Sequence, residues 1–186
     1  MSHVAVDADR TRRGARSISR RPPPARNAGT VTTVSLDGHK PEYLARRTAT
    51  AVLAGLGVGP ERRGEVELAV AELAANAGRH APGPRELRVR VSRDAVTLAV
   101  ADGGGDYAAI ARMLADPDPG AGVPWFEEHG RGLRIVAALF PGACGAAPVA
   151  AVRGGGGSGG PAKEVWISLP LGDHGDGLDH PGPPGE

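Results

Sequence analysis

Three short stretches of this chain carry polar residues at spacings that suit chemistry. In Glu72-Leu73-Ala74-Ala75-Asn76-Ala77-Gly78-Arg79-His80, an acid and an amide stand four residues apart. On a helix that spacing puts both on one face, one turn apart. A carboxylate beside an amide oxygen suits a hard cation or the positioning of a hydroxyl. A solvated helix face is the plainer reading of the same pattern. In the second stretch, Asp102 ends an apolar run and is followed by Gly103-Gly104-Gly105. Such an acid can accept from an exocyclic amine, and the glycines let a ligand come close to the backbone. An Asp at the first position of a turn is the alternative. In the third, Gly130-Arg131-Gly132-Leu133 follows a Pro-rich loop and opens a helical pattern. Unpaired N–H groups and the positive end of a helix favour a phosphate there. A helical first turn with a solvated Arg is the competing reading.

The elements that must position these residues follow from periodicity. Val31–Leu36 is a β-rich run, and Pro41 opens a helix predicted from Glu42 to about Leu56, ended by glycines. Pro60 suits a first helical position, and Val66, Ala69, Val70, Leu73 and Ala77 recur at helical spacing toward His80. Leu87, Val89 and Val91 alternate with polar residues, as do Val96, Leu98 and Val100. Their short link, Ser92-Arg93-Asp94, predicts an antiparallel hairpin. A short helix is expected over Tyr107–Leu114, a loop over 116–129 and a helix over Gly130–Phe140. A weak strand over 143–152 and a good one through Val165, Ile167 and Leu169 complete the pattern. Together these predict an α+β two-layer sandwich: a mixed, mostly antiparallel sheet with helices on one face.

Composition sets the limits. Among 186 residues there are 29 Gly and 17 Pro, which suits concentrated low-complexity segments beside a core drawn from 40% hydrophobic residues. Aromatics at 3% argue against stacking platforms for single-stranded nucleic acid. The lone cysteine, Cys144, excludes an internal disulfide and most zinc sites, and fits a reducing cytoplasm. No run is apolar enough to span a membrane, and the N-terminal stretch has no secretory pattern. Charge is segregated: residues 1–30 carry +5, residues 172–186 carry −4, and the middle is neutral. Residues 1–29 therefore read as a disordered Arg/Pro-rich arm, 30–171 as the folded domain and 172–186 as a disordered acidic tail. Gly154–Gly159 matches G-x-G-x-x-G but precedes a strand and is low complexity, so it reads as a linker. His174 and His180 lie in the tail without a framework to hold a metal.

The order Glu72…Asn76-Ala77…His80, Asp102-x-Gly104, Gly130-Arg131-Gly132-Leu133 and Val165–Pro170 resembles the ATPase module shared by Hsp90-type, gyrase-type and sensor-kinase proteins. Within it, the chain looks most like the small anti-sigma-factor serine kinases, over about residues 30–171. The resemblance implies the Bergerat-type ATP-binding fold, with ATP and Mg²⁺ as ligands. It implies Glu72 as general base, Asn76 as Mg²⁺ ligand, and Arg79 and His80 facing phosphates. Asp102 would read adenine against Gly104, and residues 116–132 would form a lid in which Gly130 and Gly132 give N–H donors to the phosphates, with Arg131 and Leu133 also in the nucleotide-binding set. The partners implied are a sigma factor and a small antagonist protein phosphorylated on Ser or Thr, and a homodimer through Val31–Leu36 and the first helix. Nucleic acid and membrane are not expected as direct partners. Two places depart from the family pattern: Asp106 stands at the last position of D-x-G-x-G, and Lys163-Glu164 stand where a Thr is common before the last strand. The alternative is a catalytically weak or inactive nucleotide-binding module that sequesters a partner.

Overall fold

The computed structural model describes residues 29–116, 131–150, 152 and 162–172. The basic arm, the glycine run, the acidic tail with its histidines, and Gly130 with most of the expected lid lie outside the described residues.

In chain order the elements are β1 (Thr30–Ser35), α1 (Pro41–Gly55), α2 (Pro60–His80), β2 (Glu86–Val91), β3 (Ala95–Asp102), α3 (Tyr107–Ala115), α4 (Arg131–Leu139), β4 (Cys144–Val149) and β5 (Ala162–Pro170). The five strands form one sheet in the order β1-β2-β3-β5-β4. All four pairings are antiparallel, so the described sheet has no parallel pair where a mixed one was expected. Both long helices start with Pro at the first turn, where its missing N–H costs nothing, and an acid follows in each.

Strand alternation decides which side chains meet the helices. Leu87, Val89, Val96, Leu98, Val100, Val165, Ile167 and Leu169 join Ala45, Ala49, Leu53, Val66, Val70, Leu73, Val136 and Phe140 in one buried cluster. Helices therefore cover one face of the sheet, as the alternating pattern predicts.

The residues between those positions make the other face, which is polar and ion-paired. Arg90 donates to Glu164 at 2.7 Å, and Arg88 bridges Glu86 at 2.5 Å and Glu164 at 3.4 Å. The Thr97 and Ser168 hydroxyls lie 3.3 Å apart across β3 and β5. Trp166 lies over Gly145, where a Cβ would come within 2.7 Å of the indole.

One side chain fixes the end of α2 to the sheet. Arg85 donates to the carbonyls of Ala77 and Ala81, both at 3.1 Å, and its own N–H donates to Asp37 at 2.9 Å. Carbonyls at a helix C-terminus lack helical partners, so this guanidinium satisfies groups that the helix leaves open.

Candidate functional site

Glu72 and Asn76 are both half-buried, one turn apart on α2, and Arg79 and His80 are exposed in its last turn. The Glu72 carboxylate lies against the start of α4: a Cβ added to Gly132 would sit 2.5 Å from Glu72 Oε2 and 3.4 Å from its Cβ and Cδ. A side chain at this position would have to push that carboxylate aside. Arg131 is exposed at the first position of α4. Leu133 is 4% exposed and belongs to the core. Its side chain anchors α4, because the apolar stripe through Val136 and Ala137 turns the same way.

A second group of polar side chains stands where β3 ends. Asp102 is 1% exposed. Its Oδ1 accepts from the Gly104 backbone N–H at 2.8 Å and from Lys163 Nζ at 2.7 Å. Lys163, itself 2% exposed, also contacts Asp106 Oδ1 at 3.0 Å. Lys163 lies within β5, one residue after the strand begins, rather than ahead of it as the sequence pattern suggested. The register pairs it directly with Asp102.

Burial works to raise the Asp106 carboxyl. The hydrogen bond and charge of Lys163, a bond from its own backbone and the charge of His80 outweigh that and hold it below the ordinary carboxylate value. The extra acid of the D-x-G-x-D sequence is therefore matched by the lysine. Glu164 needs no accommodation in the site, since alternation turns it to the opposite face, onto Arg88 and Arg90.

The site thus has two ends. One is the buried Asp102–Lys163 pair, joined by the exposed Asp106, beside bare glycine backbone. The other sets Glu72, one turn from Asn76 on α2, against the start of α4. Lys163 was read in the sequence only as a departure, and Arg85 was not singled out at all; neither belongs to a local motif. Cys144 plays no nucleophilic part: burial pushes its thiol up to about 11, so it stays protonated at neutral pH. Among the described residues, no three His, Cys, Asp or Glu side chains cluster to hold a metal by themselves. No helix among them is long and apolar enough to cross a membrane.

The family model for the histidine kinase-like ATPase domain matches residues 39–141, more than half of the chain. The match takes in Glu72, Asn76, Asp102, Gly104 and Gly132. A search of curated proteins returns no match.

Proposed function

Because the chain belongs to the histidine kinase-like ATPase domain family, we propose that it is an ATP-dependent regulatory switch of the anti-sigma type. In this reading it is a serine/threonine protein kinase that phosphorylates a small antagonist protein and otherwise holds a sigma factor. The observation that carries it is the apposition of the Glu72 carboxylate and the Gly132 backbone at the start of α4. A proton acceptor and a set of phosphate-directed N–H donors then share one place.

The residues fit a nucleoside triphosphate with Mg²⁺. Asp102 uses Oδ1 for Lys163 and Gly104, and a carboxylate has a second oxygen with which to receive an amine. Bare glycine backbone borders the site at Gly104 and Gly132, where a side chain would collide with Lys163, Asp102 or Glu72. Mg²⁺ is ordinarily held by one or two protein oxygens plus phosphates, which suits a single amide at Asn76. Bound ATP supplies the phosphoryl group, and the cation screens its charge.

The chain's own residues do the rest. Glu72 takes the proton of the attacking Ser or Thr hydroxyl, Asn76 places the cation, and the first turn of α4 with Arg131 faces the negative charge. Positioning and neutralisation are what phosphoryl transfer asks of a protein. The exposed edge strand β1 and the exposed Tyr43 and Leu44 of α1 offer the surface for a second copy or a partner.

A Glu72→Ala protein should bind ATP as the wild type does and lose phosphotransfer to a Ser-bearing antagonist by about 100-fold or more. Equal transfer rates would remove Glu72 from the chemistry. The second reading, a non-catalytic module that sequesters a partner, is favoured by the lysine already seated on Asp102. It expects partner binding indifferent to Glu72→Ala and no transfer by either protein.

A further inference from the structure

Lys163 is one of two lysines in the chain, and it is the buried one. An ammonium carries three N–H donors. Two point to carboxylates: Asp102 Oδ1 at 2.7 Å and Asp106 Oδ1 at 3.0 Å. The same ammonium fronts Gly104. A side chain on that glycine would run into Lys163 Nζ first, then meet Asp102 Oδ1 at 3.1 Å and Asp106 Oδ1 at 3.4 Å. Backbone left bare for a flat ring is thus bordered by an acceptor, Asp102, and a donor, Lys163, side by side.

A ring that carries an amino group next to an unprotonated nitrogen presents the complementary edge. We propose that Lys163 is a base-specificity residue: with Asp102 it selects a base whose amino group adjoins an accepting ring nitrogen, to which the ammonium donates. The inference rests on the nucleotide site proposed above and adds a reader that the local motifs do not contain. Burial makes the reading strict. A hydrogen bond to a charged group gains strength away from water, and a ligand without the acceptor leaves that donor short of a partner.

The test is a competition titration into the full chain with Mg²⁺. The probes are ATP, 1-deaza-ATP (carbon in place of the ring nitrogen) and purine riboside triphosphate (no amino group). Wild type should bind 1-deaza-ATP about 10- to 100-fold more weakly than ATP. In Lys163→Met that penalty should shrink to about twofold or less, while the missing amino group stays costly in both proteins. Lys163→Met leaves two carboxylates without their cation, so Lys163→Met with Asp106→Asn serves as a second variant closer to charge balance. Equal wild-type affinities for ATP and 1-deaza-ATP would overturn the inference, as would a penalty that survives in the variants. Those outcomes leave the nucleotide site standing. A folded wild type that binds no ATP would overturn the site itself, and the inference with it.

Discussion

The two ends of the site are built on different principles. At the sheet end, Asp102, Lys163 and Asp106 already satisfy one another, and two of the three are buried. At the helix end, Glu72 and Asn76 are half-buried and Arg131 is exposed. Strands hold Asp102 and Lys163 in a fixed register, and the ammonium offsets one of the two carboxylate charges before any ligand arrives. The body of α2 holds Glu72 and Asn76, and the first turn of α4 holds Arg131. The contrast separates recognition from chemistry. The paired end suits discrimination, because a buried array penalises a wrong partner. The open end suits a highly charged group that must be admitted and released.

Breaking the paired end should have the largest effect. Asp102→Asn keeps the shape but leaves Lys163 buried with only the Asp106 carboxylate. Lys163 keeps Asp106 as its counter-charge, so denaturant unfolding should show a loss of about 1.5–3 kcal/mol, the size of a hydrogen bond to a charged group. Calorimetric titration should also show ATP affinity falling by at least about tenfold, since a charged hydrogen-bond acceptor is lost. An Asp102→Asn protein as stable as wild type would mean that the array is not a structural unit.

Gly132→Ala probes the open end and should split the two properties the other way. The new methyl meets Glu72 Oε2, the far end of a flexible side chain, which can move aside. Stability should change by about 1 kcal/mol or less, as expected for a Gly-to-Ala change in a helix. Phosphotransfer should fall by about 100-fold, because a displacement of about 1 Å at a reacting group is enough for that. Rates measured beside an unfolding curve would show whether chemistry and stability separate here.

The smallest effect concerns pH. The folded-state value of Asp106 lies below its ordinary 3.8, so its contribution is present above that value and lost as pH falls through the folded one. Its side chain is 63% exposed, so the contribution is at most about 1 kcal/mol. Melting temperatures of wild type and Asp106→Asn should differ slightly at neutral pH and converge in acid. A gap that widens on acidification would reverse the assigned sign.

Much of the helix end was legible in the sequence because its information is local. Four-residue spacing puts Glu72 and Asn76 on one face, and strict alternation marks β2, β3 and β5. The sheet end was not legible for the opposite reason. Lys163 reaches Asp102 across 61 residues of chain, and only the pairing of β3 with β5 brings them together. Read along the chain, Asp106, Lys163 and Glu164 are three isolated charges. In the fold, the first two neutralise each other and the third turns to the other face of the sheet. The wholly antiparallel sheet, too, depends on strand order, which periodicity does not encode.

The direct pairing of Asp102 with Lys163 also bears on how the chain finds its own alignment. If β5 slid by one residue along β3, Asp102 would face Glu164 or Ala162 instead of its cation. The same slip would send Trp166 toward the helices and Ile167 away from them, since each step along a strand reverses the faces. A misaligned sheet would therefore meet both an unpaired or repelled buried charge and a disrupted apolar layer. The ion pair that gives the site its acceptor and donor is also a proofreading mark for the β3–β5 seam, distinguishing the correct alignment from its nearest competitors before any nucleotide is bound.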